Sequence, residues 1–183
     1  YLMLVFVCLF IFLVSGFGAT TFNLLQVTVA TELGWTPAER AVVATAYSTG
    51  MIWFAFFSGI LADKVNIKRM MGSLIVALSV FIVLRAFLVG VTLYYIIMFG
   101  SGVLVSLFIP VGSKIIPLWF GSKQLAVANG VLTSSNPLGQ FAANFFALPL
   151  IGALGGRWQN LYILLGILIA VLLFKPAGLL GTG

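Results

Sequence analysis

Chemically reactive side chains are almost absent from this chain. It has no histidine, and its three acidic residues, Glu32, Glu39 and Asp63, are far apart in sequence. Its one cysteine, Cys8, lies in an apolar run and matches no disulfide, zinc or redox spacing. Paired carboxylates, catalytic triads and glycine-rich phosphate loops cannot be assembled from this sequence. We therefore expect neither an enzyme nor a bound cofactor or metal.

Charge is scarce as well. Only 7% of the 183 residues are charged, 62% are hydrophobic, and the mean hydropathy is +1.24. Because soluble domains are about 25% charged, so few charges cannot cover the surface of a soluble protein of this size. The net charge of +6 comes from nine basic residues that form no basic face for nucleic acid. The composition predicts an integral membrane protein whose main partner is the lipid bilayer.

Six apolar stretches are long enough to cross a bilayer, because about 20 helical residues span about 30 Å of hydrocarbon. Thr36 and Glu39 have the spacing of a capping box, and Pro37 suits the first turn of the second helix. The fold class is therefore an all-α membrane protein. We predict a single six-helix transmembrane domain over residues 1–183, with spans at about 2–30, 37–62, 70–89, 92–119, 125–151 and 158–174.

The basic residues predict the orientation of these spans. If the loop between the second and third spans is cytoplasmic, only Arg40 and Arg157 lie in the opposite loops, as the positive-inside rule requires. We expect Arg85, near the outer end of the third span, to reach the interface by snorkelling. The protein is then multi-pass in the cell (inner) membrane, with both termini cytoplasmic. Six basic residues lie at the inner face: Lys64, Lys68, Arg69, Lys114, Lys123 and Lys175.

The loop between the second and third spans carries a specific pattern. Residues 59–69 read GILADKVNIKR. This stretch resembles the signature loop of the major facilitator superfamily, roughly G-x-L-A-D-R-x-G-R-K, and Lys64 is a basic substitute within it. The matching residues are Gly59, Leu61, Ala62, Asp63 and Lys68.

Three further stretches resemble the same family, in the expected order. Residues 100–102 resemble its G-x-G stretch, residues 119–130 the start of its fifth helix, and residues 156–162 the start of its sixth, with Gln159 where arginine is usual. The resemblance implies the N-terminal six-helix half of the family's fold, and secondary active transport of a small solute by alternating access. A whole transporter of this type has two halves. We therefore expect the chain to be a fragment or to pair with another protomer.

The resemblance also implies a conformational latch. In this family the acidic residue of the loop faces the start of a helix in the other half, and basic residues pair with it. A carboxylate at a helix N-terminus is favoured by the dipole and by free N–H groups. The alternative is that Asp63 caps local loop amides while the bases serve membrane orientation. The expected latch residues are Gly59, Asp63, Lys64, Lys68 and Arg69.

Polar side chains at helical spacing mark a candidate solute path. Amides that face lipid would lose hydrogen bonds, so a polar face should look towards protein or water. Asn23 and Gln26 on the first span form a weaker candidate for this path than the polar face of the fifth span. The alternative is inter-helix hydrogen bonding, because Asn and Gln also join packed helices. Five residues of the fifth span lie on one helical face: Asn129, Thr133, Asn136, Gln140 and Asn144.

Two other functions stay open. Residues 174–181 resemble the end of branched-chain amino-acid permeases, which would make the chain a membrane subunit of an ABC-type importer with a cytoplasmic ATPase partner. The other is a non-transporting membrane assembly protein, for which the complete chain would show no solute flux. The polar but acid-poor lining suits small anions or neutral solutes.

Overall fold

The computed structural model describes residues 8–9, 11–121 and 124–174, and helices make up most of these ranges. The first helix, α1, is π-helical over Phe12–Gly18 and α-helical over Ala19–Glu32. The described ranges contain no strand, so the all-helical class predicted from the sequence is confirmed. The remaining helices are α2 (Pro37–Lys64), α3 (Ile67–Leu84), α4 (Val91–Trp119), α5 (Leu125–Ala153) and α6 (Trp158–Phe174).

Length and apolarity separate these helices into two groups. Among the described residues, Phe12–Glu32, Pro37–Leu61 and Val91–Phe108 are each long and apolar enough to cross a membrane alone. The apolar part of α3, Gly72–Leu84, is shorter, and α5 and α6 reach the threshold only as a pair bent by 112°. With 29 residues α5 is long enough. What keeps α5 below the threshold on its own is therefore its mean hydropathy and not its length.

The start of α2 shows how local sequence fixes a helix end. Thr36 Oγ1 accepts a hydrogen bond from the Glu39 N–H at 3.3 Å, and Glu39 Oε2 accepts one from the Thr36 N–H at 2.8 Å. The predicted capping box is therefore confirmed. Pro37 takes the first helical position, where its missing N–H leaves no bond unmade. Gly34, with φ of 70°, turns the chain between α1 and α2.

Two close helix crossings bring the backbones of the bundle together, α2 against α4 and α1 against α5. A Cβ atom at Gly102 would overlap the backbone carbonyl of Tyr47, and one at Gly50 would overlap the α4 backbone. Gly16 of α1 and Gly139 of α5 meet in the same way. Lipid provides no hydrophobic drive between helices, so small residues that let backbones touch supply the packing energy.

The bundle has two ends, each tied by its own contacts. We name each end after one of its residues. The α1–α2, α3–α4 and α5–α6 connections lie at the Trp35 end, and the α2–α3 and α4–α5 connections lie at the Asp63 end. At the Trp35 end the Trp35 and Tyr94 rings meet edge to face, with centroids 5.1 Å apart. The Glu32 carboxylate accepts hydrogen bonds from Gln159 Nε2 at 3.1 Å and from Trp158 Nε1. These contacts join the ends of α1, α4 and α6.

We expect Gly102→Ala to destabilise the folded protein, because its methyl group would overlap the Tyr47 carbonyl. Overpacking of this kind costs about 1–3 kcal/mol. The matched control, Gly130→Ala, adds the same methyl group to α5, where no atom lies within 4 Å. Alanine is also the better helix former. Thermal unfolding in detergent should give a lower midpoint for Gly102→Ala and an unchanged or higher one for Gly130→Ala. Equal midpoints would contradict the close crossing.

Candidate functional site

A cavity of about 320 Å³ lies between α1, α2, α4 and α5. This volume is at the lower end of the range for small-molecule sites. Met98 of α4 and Phe22 of α1 add apolar surface, and none of the described lining residues carries a charge. Polar side chains come from three of the helices: Ser15, Thr20 and Asn23 of α1, Tyr47 and Ser48 of α2, and Asn136 and Gln140 of α5.

A chain of amide hydrogen bonds runs along the α5 side of this cavity. Asn136 Nδ2 donates to Ser15 Oγ at 2.5 Å, and Gln140 Nε2 donates to Asn136 Oδ1 at 2.6 Å. Asn144 Nδ2 donates to the Gln140 backbone carbonyl at 2.9 Å. An amide has two N–H donors and an oxygen with two lone pairs, so these bonds leave further donors and acceptors for a ligand. Asn136 thus both joins α1 to α5 and lines the cavity.

The π-helical segment Phe12–Gly18 positions the α1 side of the cavity. Its turn is wider than that of an α-helix, and such segments are frequent at functional sites. Ser15 lies within it, and the neighbouring Gly16 packs against Gly139 of α5. This close backbone approach lets the short Ser15 side chain reach Asn136.

Part of the predicted solute path lies in the cavity. Asn23, Asn136 and Gln140 are among its lining residues. Thr133 Oγ1 donates to the backbone carbonyl of Asn129, within its own helix, at 2.8 Å. The predicted residues that the structure places outside the described lining are Gln26, Asn129, Thr133 and Asn144.

Tyr47 and Ser48 line the cavity, although the sequence pattern did not mark them as solute contacts. They belong to a face of α2 that also includes Ala44 and Met51. The spacing of these four residues is i, i+3, i+4 and i+7, which is that of one helical face. This face mixes small, aromatic, hydroxyl and thioether side chains. It therefore does not show the regular spacing of polar residues by which a cavity-lining face is predicted from sequence.

Asp63 forms an ion pair with Lys114 of α4 at the Asp63 end. Both side chains are accessible to water, 71% for Asp63 and 35% for Lys114. The sequence analysis placed Lys114 among the basic residues of the inner face and did not pair it with Asp63, which lies 51 positions earlier. Gly59 lies one turn before Asp63 and has open space where a Cβ would be. Of the other predicted basic residues, the side chains of Lys64, Lys68 and Arg69, and all of Lys123 and Lys175, lie outside the described part of the chain.

Arg85 is buried, with 3% of its surface exposed. The expectation that it reaches the membrane interface is therefore wrong. The reason lies in where α3 ends: Leu84 is its last residue, and Arg85 occupies the turn that follows. The guanidinium thus belongs to the interior of the Trp35 end.

A family model described as the Major Facilitator Superfamily matches residues 8–180. No curated protein and no solved structure matches the chain. The C-terminal stretch that resembles amino-acid permeases falls within this match up to residue 180, and from residue 175 onward it lies outside the described residues. Because the match extends over all six described helices, the chain belongs to the Major Facilitator Superfamily of membrane transporters.

Proposed function

We propose that this protein moves a small solute by secondary active transport with alternating access, and that the cavity between α1, α2, α4 and α5 binds the solute. The observation that carries the proposal is the uncharged polar wall formed by Ser15, Asn136 and Gln140. Asn136 lies near the middle of the 29-residue helix α5. Transporters of this kind bind solute near the bilayer midplane, between repeats.

A second six-helix half, from a longer chain or another protomer, would complete this site. In this proposal all six helices of the present half cross the bilayer as one domain. Asn129, Thr133 and Asn144 are exposed along α5. Amides left in contact with lipid lose their hydrogen bonds, so a facing half or a water-filled path should cover this stripe. Together with Gln26, these residues would continue the solute path beyond the cavity.

The Asp63–Lys114 ion pair supports a latch role for the loop between α2 and α3. The pair ties the last turn of α2 to α4, and exposed pairs of this kind contribute about 0.2–1 kcal/mol. A contact this weak can break and reform within each transport cycle. Gly59, Lys64, Lys68 and Arg69 would complete the latch against the second half.

Replacing Gln140 by Leu should weaken solute binding and leave insertion and folding unchanged, because the lost amide lines the cavity and makes only one side-chain bond to α5 itself. Asn136→Leu should weaken binding too, and it also removes the bond to Ser15. Losing a buried hydrogen-bond partner costs about 1–3 kcal/mol, or about tenfold to a hundredfold in affinity.

The probe for this test comes from a thermal-shift screen of small polar solutes against the wild-type protein, followed by uptake into proteoliposomes. Ser134→Leu is the matched control, because it places the same side chain on α5 outside this cavity. Unchanged affinity in both amide variants would mean that α5 supplies no binding contacts. Poor folding with retained affinity would mean that the amides only join helices.

Cysteine labelling should place the two ends of the bundle on opposite sides of the membrane. The variants are Gly121→Cys at the Asp63 end and Ala153→Cys at the Trp35 end, both exposed positions, in a Cys8→Ser background that removes the chain's one cysteine. An impermeant maleimide should reach residue 153 from outside intact cells, and residue 121 only after permeabilisation. Labelling of both from the same side would contradict the proposed topology with cytoplasmic termini.

Asp63→Asn should shift the balance between outward-open and inward-open states by up to about fivefold, without abolishing solute binding. Lys114→Gln should have the same effect, because each change removes the same ion pair, worth about 0.2–1 kcal/mol. The measurement is the accessibility of single cysteines at each end of the complete transporter. Combining the two changes should add little to either alone. Additive effects would show that Asp63 acts through another partner, and unchanged accessibility would rule out the latch.

A further inference from the structure

Helix α1 carries its π-helical segment, Phe12–Gly18, at the place where it crosses α5. A Cβ atom at Gly16 would overlap the backbone of Asn136 and Gly139 there. A π turn is closed by hydrogen bonds over five residues, against four in an α-helix, so it holds an extra residue. Conversion of the segment to an α-helix exchanges one set of backbone hydrogen bonds for another. Such a change is compatible with a lipid core, which does not tolerate unbonded backbone groups.

The two parts of α1 on either side of this segment are held unequally. Towards the Trp35 end, Phe22 and Val29 are buried, and Glu32 accepts hydrogen bonds from α6. Towards the Asp63 end, 44% of the Leu9 surface is exposed. A change of form at the segment would therefore move the part of α1 that precedes it and leave residues 19–32 in place.

Open space is available for that movement. Between the crossing and the Asp63 end, an apolar groove of about 630 Å³ separates α1 from α5. Gly130 of α5 lines this groove and has no atom within 4 Å of its Cβ position. Cys8, Leu9 and Phe12 of α1 form the opposite wall. A rotation of this end of α1 would therefore change which side chains face the groove.

Ser15 connects the π-helical segment to the solute cavity. It lies in the middle of the segment, and its Oγ accepts a hydrogen bond from Asn136 Nδ2 at 2.5 Å. Both residues line the cavity. Gly18 also suits the π form, since a Cβ there would lie only 3.2 Å from the carbonyl oxygen of Leu13, five positions earlier. The bond to Asn136 and the lack of a side chain at Gly18 thus both favour the π form.

We propose that the π-helical segment is a hinge that couples the cavity to the Asp63 end of α1. The Ser15–Asn136 bond holds the π form, and a solute that bonds to Asn136 in place of Ser15 releases it. Conversion to an α-helix then turns this end of α1 by about 100° and shifts it by about 1.5 Å, the rotation and rise of one residue. The role of the solute rests on the proposed function, whereas the hinge itself does not.

Distances between two spin labels measure this rotation in the complete protein, with no ligand added. One nitroxide is attached to Cys8 and the other to Val65→Cys, an exposed position at the Asp63 end, in a background with no further cysteines. Ser15→Ala removes only the hydroxyl that bonds to Asn136, so a second distance should gain about twofold to tenfold over the first. Gly18→Ala crowds the π turn and should act in the same direction.

Two controls separate the hinge from other motions. Gly72→Ala adds a methyl group to α3, where no atom lies within 4 Å, and should leave the distances unchanged. A label pair at Val27→Cys and Val65→Cys, in a Cys8→Ser background, reports on the part of α1 beyond the hinge. This pair should show one distance in every variant.

Deletion of Leu13 tests the extra residue directly. Removing one residue closes the segment as an α-helix and keeps the helix faces on both sides as they are. In this background Ser15→Ala should no longer produce the second distance, because no extra residue remains to be released. If the deletion variant does not fold, the response to Gly18→Ala decides, because its methyl group crowds the π turn and leaves the Ser15–Asn136 bond intact.

Three outcomes would overturn the hinge: unchanged distances in both Ser15→Ala and Gly18→Ala, a second distance that persists in the Leu13 deletion, or the same change at Val27. Uptake into proteoliposomes tests the proposed transport separately. A second distance in Ser15→Ala, together with no uptake by the wild-type protein, would support the hinge and count against transport.

Discussion

Close backbone contact between helices is the constraint on which the rest of this structure depends. In lipid every backbone N–H and C=O is satisfied within its own helix, and apolar side chains gain little by leaving lipid for a neighbouring helix. Gly50 and Gly102 at one crossing, and Gly16 and Gly139 at the other, allow the contact that remains favourable. The same crossings bring Ser15 within reach of Asn136. The cavity is thus a product of how the helices pack.

The helices could be predicted from the sequence because their length and ends are set locally. A run of apolar residues fixes the span, and the Thr36–Glu39 box fixes the start of α2. Contacts between helices could not be predicted in the same way. The Asp63–Lys114 pair and the place of Tyr47 in the cavity depend on how each helix is rotated and crossed. The burial of Arg85 could not be predicted, because its position along the sequence does not show which neighbouring helices cover the end of α3.

The few charges of the chain are divided by function. The acids lie at helix ends, where Glu39 caps α2 and Glu32 joins α1 to α6. The cavity wall is made from amides and hydroxyls, which can bind and release a ligand without a fixed charge of their own. Arg85 is buried and is not among the described residues that line the cavity.

The two ends of the bundle are held by different kinds of contact. At the Trp35 end, ring packing and hydrogen bonds to Glu32 restrict both distance and orientation. At the Asp63 end an accessible ion pair links α2 to α4, and water and salt screen its attraction. A rocking motion of the half would therefore separate this screened ion pair more readily than the contacts of the Trp35 end.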